Sequence, residues 1–346
     1  MPSDAENFYI SGPTHLINAL YWSNEHHRRS VAASLVQGVY IQERDHQKKR
    51  QGPQALAPPW WNAFNFQLKE VLIDPEDNSI FGAVYEFQNQ IYPTLKIPKY
   101  VIAFRGTLIK RKTVLQDFKL NFEITCNTLH RSPRFQVAMQ TVQNFVDAAG
   151  APNIWLTGHS LGSAIALLVG KNMCKRGYFV ETYLFNPPFL SAPIESWIKD
   201  HESLKDGVRL AKSLLTAGLA LAVQVSQHHE SQEHDSFAML CNWIPYLFVN
   251  PADHICAEYI GYFENRKKMV EMGAGIIERL ATKNSIRSLV SGALGGDSEV
   301  WHLLPSAYLT TFDLGPSPDF MRAHGINQWW NPNFPYKSTL HSYDHL

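Results

Sequence analysis

No long apolar run, no excess of one charge and no cysteine framework mark this sequence, and each absence removes a class of protein. Lys+Arg and Asp+Glu number 31 each, so net charge points to neither a nucleic acid nor an acidic membrane surface. The longest basic cluster, Lys48-Lys49-Arg50, reads as a solvated loop. The 346 residues hold four cysteines, Cys126, Cys174, Cys241 and Cys256. No two have C-x-x-C spacing, so no zinc site, redox motif or disulfide scaffold is indicated, and no metal or cofactor is expected. The most apolar stretch, 214–225, is too short to span a bilayer. Residues 1–7 are polar and acidic, without the basic start and apolar stretch of a leader. The expectation is a soluble, cytoplasmic protein, with interfacial membrane contact and oligomeric state left open. There is no repeat and no low-complexity tract.

What is present is a chain long enough for one large domain, 1–346. Apolar residues recur at helical spacing over 29–40. Strand patterns cover 66–73 and 79–87 around the turn Asp74-Pro75-Glu76-Asp77-Asn78, which predicts a hairpin. A nearly all-apolar strand follows at 99–104. Beyond residue 130 the pattern alternates: helix 135–149, strand 153–157, helix 161–174, strand 178–185 and strand 246–249. Such alternation predicts an α/β protein with a mostly parallel central sheet and helices on both faces. Residues 190–240 form a long insert, read as helical and as a cap or a part of the core. In a sheet of this kind the chemistry lies beyond the carboxyl ends of the strands.

At one such end stands Gly158-His159-Ser160-Leu161-Gly162, a G-x-S-x-G pentapeptide. Here a strand must turn sharply into a helix, which lifts the Ser160 hydroxyl above the sheet and makes it a candidate nucleophile. The Leu161 N–H, at the helix start, is a candidate oxyanion donor. A tetrahedral intermediate needs a second donor from another loop. Thr107, after Phe104-Arg105-Gly106 at the end of the apolar strand, supplies a candidate N–H and hydroxyl.

Ala103-Phe104-Arg105-Gly106-Thr107 followed downstream by Gly-His-Ser-Leu-Gly resembles the class 3, fungal-lipase-like family of α/β hydrolases. The likeness covers roughly residues 99–253 and fades outside them. Two longer phrases, at 28–40 and 323–330, resemble a plant branch of that group, whose members often carry the label "GDSL esterase/lipase". That label fits these residues poorly, since the serine is central and lies in Gly-His-Ser-Leu-Gly. The resemblance implies the α/β-hydrolase fold with a helical insert or cap, and a role for Thr107 in the oxyanion hole.

Chain order in such hydrolases runs Ser, then Asp or Glu, then His. Asp253 follows the strand pattern 246–249 and is the candidate acid, a position the resemblance supports. An aspartate at this place also suits a helix N-cap. Asp235, in a polar His-rich loop, is a weaker rival. Of the later histidines, His254 adjoins the acid and His341 and His345 lie in the terminal tail. That leaves His324 and His302. Ala323-His324 with Trp329 and Trp330 close behind resembles the family's pattern, so His324 is favoured and His302 is the alternative base.

The function expected is hydrolysis of a carboxylic ester, small or lipid, through an acyl-enzyme on Ser160. Two rivals stand beside it: acyl transfer from the same acyl-enzyme, and a non-catalytic α/β-hydrolase scaffold that binds a small ligand. Residues 108–113, where the family carries a lid, are short and basic rather than amphipathic, which argues against a triacylglycerol substrate.

Overall fold

The computed structural model describes residues 3–89, 96–108, 125–126, 128–189, 239–269, 303–312 and 319–343. Eight strands make one sheet in chain order: β1 (Phe66–Ile73), β2 (Ile80–Phe87), β3 (Tyr100–Phe104), β4 (Ile154–His159), β5 (Glu181–Phe185), β6 (Tyr246–Phe248), β7 (Ala307–Phe312) and β8 (Tyr336–His341). The pairings from β3 to β7 are parallel. β1 and β2 pair antiparallel, as a hairpin across 74–79 should, and so do β2 with β3 and β7 with β8.

The parallel strands need crossovers, and helices supply them. Helix Pro133–Ala149 leads into β4, and Leu161–Lys175 connects β4 to β5. The first starts on Ser132, whose side chain accepts the Phe135 N–H, and stops at Gly150, with φ of 83°. Helix Glu25–Gln47 is longer than the periodic stretch 29–40. Its start is fixed by Asn24, whose side chain accepts the N–H groups of His26 and His27.

Side chains alternate across the sheet, and this divides the core in two. Ile102, Phe104, Leu156, Leu184 and Leu247 face helices 133–149, 161–175 and 258–269. Val101, Ala103, Trp155, Tyr183, Phe185 and Phe248 face helix Glu25–Gln47 and the segment around Trp329. Strands buried on both faces carry no polar alternation, which is why β3 and β4 read as continuous apolar runs.

One expectation is corrected here. His341 does not lie in a fraying tail: it ends β8, opposite Ala307 of β7. That strand was invisible to pattern because it closes the sheet edge with most of its residues partly or fully exposed. Of the insert 190–240 only 239 and 240 are described, so its reading as a helical cap lies outside the described residues, as do Asp235, His302 and residues 109–113. No helix among the described residues is long and apolar enough to cross a membrane.

Candidate active site

Ser160 sits between β4 and helix Leu161–Lys175 with φ of 56° and ψ of −125°. A non-glycine residue in this region is strained, and the surroundings must enforce it. They do so by close approach. A Cβ at Gly158 would fall 2.2 Å from the Gly162 carbonyl oxygen, and one at Gly162 would fall 2.2 Å from that of Phe104. Only hydrogen fits at either position, so the elbow is tight and the serine is its pivot. The Ser160 N–H donates to the Phe185 carbonyl at 3.0 Å, tying the turn to the next strand.

Asp253 and His324 meet although 71 residues separate them. His324 Nδ1 lies 2.7 Å from Asp253 Oδ2, and both residues are buried. Asp253 also closes its own turn, since Oδ1 accepts the Ile255 N–H at 3.1 Å. The helix that follows begins only at Glu258, so Asp253 is not its N-cap: one oxygen closes the local turn and the other meets the histidine. Oδ2 further accepts Asn186 Nδ2 at 2.7 Å and faces Cys256 Sγ at 3.3 Å. Burial pushes the Asp253 pKa up, but the adjoining His324 and the hydrogen bonds from His324, Asn186 and Ile255 outweigh it, and the carboxyl lies below its ordinary value. The carboxylate thus stays ionised inside the protein and fixes the hydrogen on Nδ1, leaving Nε2 as the ring's free nitrogen. That nitrogen is buried and makes no hydrogen bond among the described residues, including to Ser160. In unliganded sites such catalytic bonds are often long and tighten only around substrate.

His324 is held in place by groups that no motif announced. It ends the short helix Phe320–His324, whose first turn is capped by the Asp319 side chain. Its ring stacks on Phe320, with centroids 5.2 Å apart, and packs 4.9 Å from His159. The neighbouring Ala323 carbonyl accepts three side-chain amides: Gln328 at 2.8 Å, Asn250 at 3.1 Å and Asn186 at 3.3 Å. Asn186 joins Asp253 to the segment that carries His324. Its Oδ1 accepts the Trp329 indole at 2.6 Å, and because indole can only donate, the amide orientation is settled. Asn186 itself has φ of 45° directly after β5, a left-handed conformation that asparagine tolerates. The sequence signals were Asn186-Pro187-Pro188 after a strand and the phrase 323–330, whose polar members had no assigned task.

The loop after β3 lies against Ser160. A Cβ at Gly106 would come within 2.7 Å of Ser160 Cβ, so this glycine permits the contact. Thr107 follows it and is exposed, whereas Leu161 is buried. As the first residue of its helix, Leu161 has an N–H without an intrahelical acceptor. His159, between the strand and Ser160, has its pKa pushed down to about 3 by burial and by the neighbouring His324. It is a neutral connector rather than a base. Among the described residues no group of three or more His, Cys, Asp or Glu could hold a metal ion.

The family model for lipase (class 3) matches residues 101–190, which run from β3 through the loop at Gly106 and the turn at Ser160 to just past the end of β5. A protein of Arabidopsis thaliana named as a GDSL esterase/lipase is 46% identical over 356 residues, covering 99% of both chains. Among solved structures, the lipase of Rhizopus microsporus var. chinensis is 18% identical, with 51% of this chain and 62% of that one covered and a TM-score of 0.30. The native propeptide complex of the Rhizomucor miehei lipase is 14% identical, with 66% and 61% covered and a TM-score of 0.32. The chain thus spans about three fifths of those two lipases. Superpositions this loose carry no argument, and the fold rests on the strand order and elbow described above. The class 3 model and the full-length relative together carry the family assignment: this chain belongs to the class 3 lipase family of α/β hydrolases.

Proposed function

We propose that the protein hydrolyses carboxylic esters, with Ser160 as nucleophile, His324 as general base and Asp253 as the acid that orients it. The carrying observation is the buried Asp253–His324 pair at 2.7 Å, whose histidine packs on His159, the residue before a serine held at positive φ. In this reading His324 Nε2 takes the Ser160 proton as Oγ attacks the ester carbonyl. The N–H groups of Leu161 and Thr107 receive the oxyanion, and the Thr107 hydroxyl adds to them. The alkoxide leaves with the proton from His324, and water then cleaves the acyl-enzyme by the same path. Asp253 remains a carboxylate throughout and stabilises the imidazolium.

The substrate in this reading is an ester that dissolves as monomer. In sequence the stretch 108–113 is short and basic rather than amphipathic, which supports this reading. All four cysteines are buried and none forms a disulfide, which fits a reducing, cytoplasmic setting. The test is a series of p-nitrophenyl esters of rising chain length, measured with and without micelles. Turnover of short esters with no jump above the micelle threshold is expected. Activity confined to long chains in micelles contradicts the soluble-ester reading, and transfer to an added alcohol in preference to water replaces hydrolysis with acyl transfer.

A further inference from the structure

One phenol joins the three loops that meet at Ser160. Tyr40 lies buried on helix Glu25–Gln47. Its hydroxyl accepts the Gly106 N–H at 2.7 Å and lies 2.8 Å from His159 Nδ1. His159 Nε2 in turn lies 2.7 Å from the His324 carbonyl oxygen. The protons along this path have a single arrangement. A carbonyl only accepts, so Nε2 carries the hydrogen and Nδ1 of the neutral ring is an acceptor. The phenol therefore donates to His159 while accepting from Gly106, and each link is satisfied only when the other is. The buried imidazole, held down to about 3, keeps the neutral form this requires.

A second clamp acts on the other side of Gly106. Arg105 donates from Nη1 to the Gly106 carbonyl at 2.7 Å and from Nε to the Ile80 carbonyl at 2.5 Å. Its Nη2 is 4.0 Å from Glu43, which also accepts the Ile80 N–H at 2.7 Å. Tyr40 and Glu43 are three apart on one helix and share a face. That face thus holds the Gly106 N–H directly and the Gly106 carbonyl through Arg105. In a trans peptide the carbonyl and the next N–H point in opposite directions. Fixing the Gly106 carbonyl therefore fixes the direction of the Thr107 N–H.

We propose that Tyr40 is a positioning residue which, backed by Arg105 and Glu43, sets the Thr107 oxyanion donor and the His324 backbone together around Ser160. The inference rests on the ester-hydrolase reading of that serine. It is tested with wild type, Tyr40→Phe and Ser160→Ala, using p-nitrophenyl butyrate as substrate and a trifluoromethyl ketone as inhibitor. The ketone adduct on serine carries the same oxyanion as the transition state, so its affinity reports the hole itself. Tyr40→Phe keeps the ring and removes the hydroxyl. The expected result is a loss of about 10- to 100-fold in kcat, with KM within about twofold, and a matching rise in the ketone inhibition constant. A merely structural role lowers the active fraction and leaves that inhibition constant unchanged. Unchanged kcat, or a fall in kcat without weaker ketone binding, overturns the proposal. Arg105→Lys provides a second reading should Tyr40→Phe fail to fold. It retains the charge near Glu43 but lacks the fork that spans both carbonyls, and the same paired loss is expected. A wild type that leaves both the ester and a fluorophosphonate untouched sinks the hydrolase reading and this inference with it. An active wild type with unaltered variants overturns the positioning role alone.

Discussion

Replacing Asn186 with alanine removes a side chain that touches both Asp253 and the segment carrying His324. Three effects follow from its surroundings. Asp253 loses a charge-assisted hydrogen bond of 2.7 Å, worth about 1.5–3 kcal/mol. The Trp329 indole, deep in the second core cluster, loses the acceptor at 2.6 Å and is stranded at a cost of about 1–3 kcal/mol. Alanine at φ of 45° also meets a penalty that asparagine largely escapes, about 1 kcal/mol. Together these come to about 4 kcal/mol or more, a large part of the ~5–15 kcal/mol that holds a folded domain together. The melting temperature should fall by on the order of 10 °C. Catalysis changes in a separate way. The amide is one of the groups holding the Asp253 pKa down, so its removal lets that pKa rise. The acid limb of the kcat/KM profile then moves to higher pH. The assays are thermal unfolding by circular dichroism and a pH–rate profile. Asn186→Asp supplies the contrast: it keeps an acceptor for Trp329 but sets a second carboxylate against Asp253. Its deficit against wild type should shrink as pH falls and one carboxyl takes a proton. A melting temperature within about 2 °C of wild type for Asn186→Ala, with an unmoved acid limb, refutes the reasoning.

Three further substitutions probe other links. Asp253→Asn keeps the shape but removes the charge that stabilises the imidazolium, and kcat should fall by about 10⁴-fold; a loss under tenfold in steady-state assays contradicts the acid assignment. Gly106→Ala drives a methyl to within 2.7 Å of both Ser160 Cβ and the Tyr40 hydroxyl. An activity loss of about 10²-fold or more is expected from the displaced loop, and an unchanged rate shows that the loop yields freely. His159 gives a stability signature. An unfolded histidine near 6.5 takes up a proton that folded His159, at about 3, refuses. The unfolded state binds more protons in that window, so stability falls as pH drops from about 6.5 towards 3, by up to about 1.4 kcal/mol per pH unit from this residue. In urea unfolding between pH 7 and 5, His159→Phe should flatten that part of the slope, and a slope identical to wild type counts against a neutral buried ring.

What the sequence revealed and what it hid divide along physical lines. The elbow at Ser160 was legible because its constraints are local: glycines at fixed offsets, an apolar strand before and a small-residue helix after. Strands β3 to β6 were legible because burial on both faces leaves an unbroken apolar run. Asp253 stood out from its place after β6; it does not cap the next helix, which starts at Glu258, and its two oxygens meet the Ile255 N–H and His324. The choice of His324 rested on family likeness, and its pairing with Asp253 is a matter of three-dimensional approach that spacing cannot encode. Tyr40, Asn186, Asn250 and Gln328 were not found, because a buried tyrosine or amide in the sequence looks like any other. Their task appears only when helix Glu25–Gln47 and the 320–330 segment close over the same sheet. β8 was missed for the opposite reason, as an exposed edge strand has no apolar pattern to read.

The central claim is that Ser160 is the nucleophile, and labelling with a fluorophosphonate probe tests it most directly. Wild type should be labelled covalently, with the probe mapped to the peptide containing Ser160, and Ser160→Ala should take up none. Absence of labelling in folded wild type, or labelling that persists in Ser160→Ala, contradicts the account.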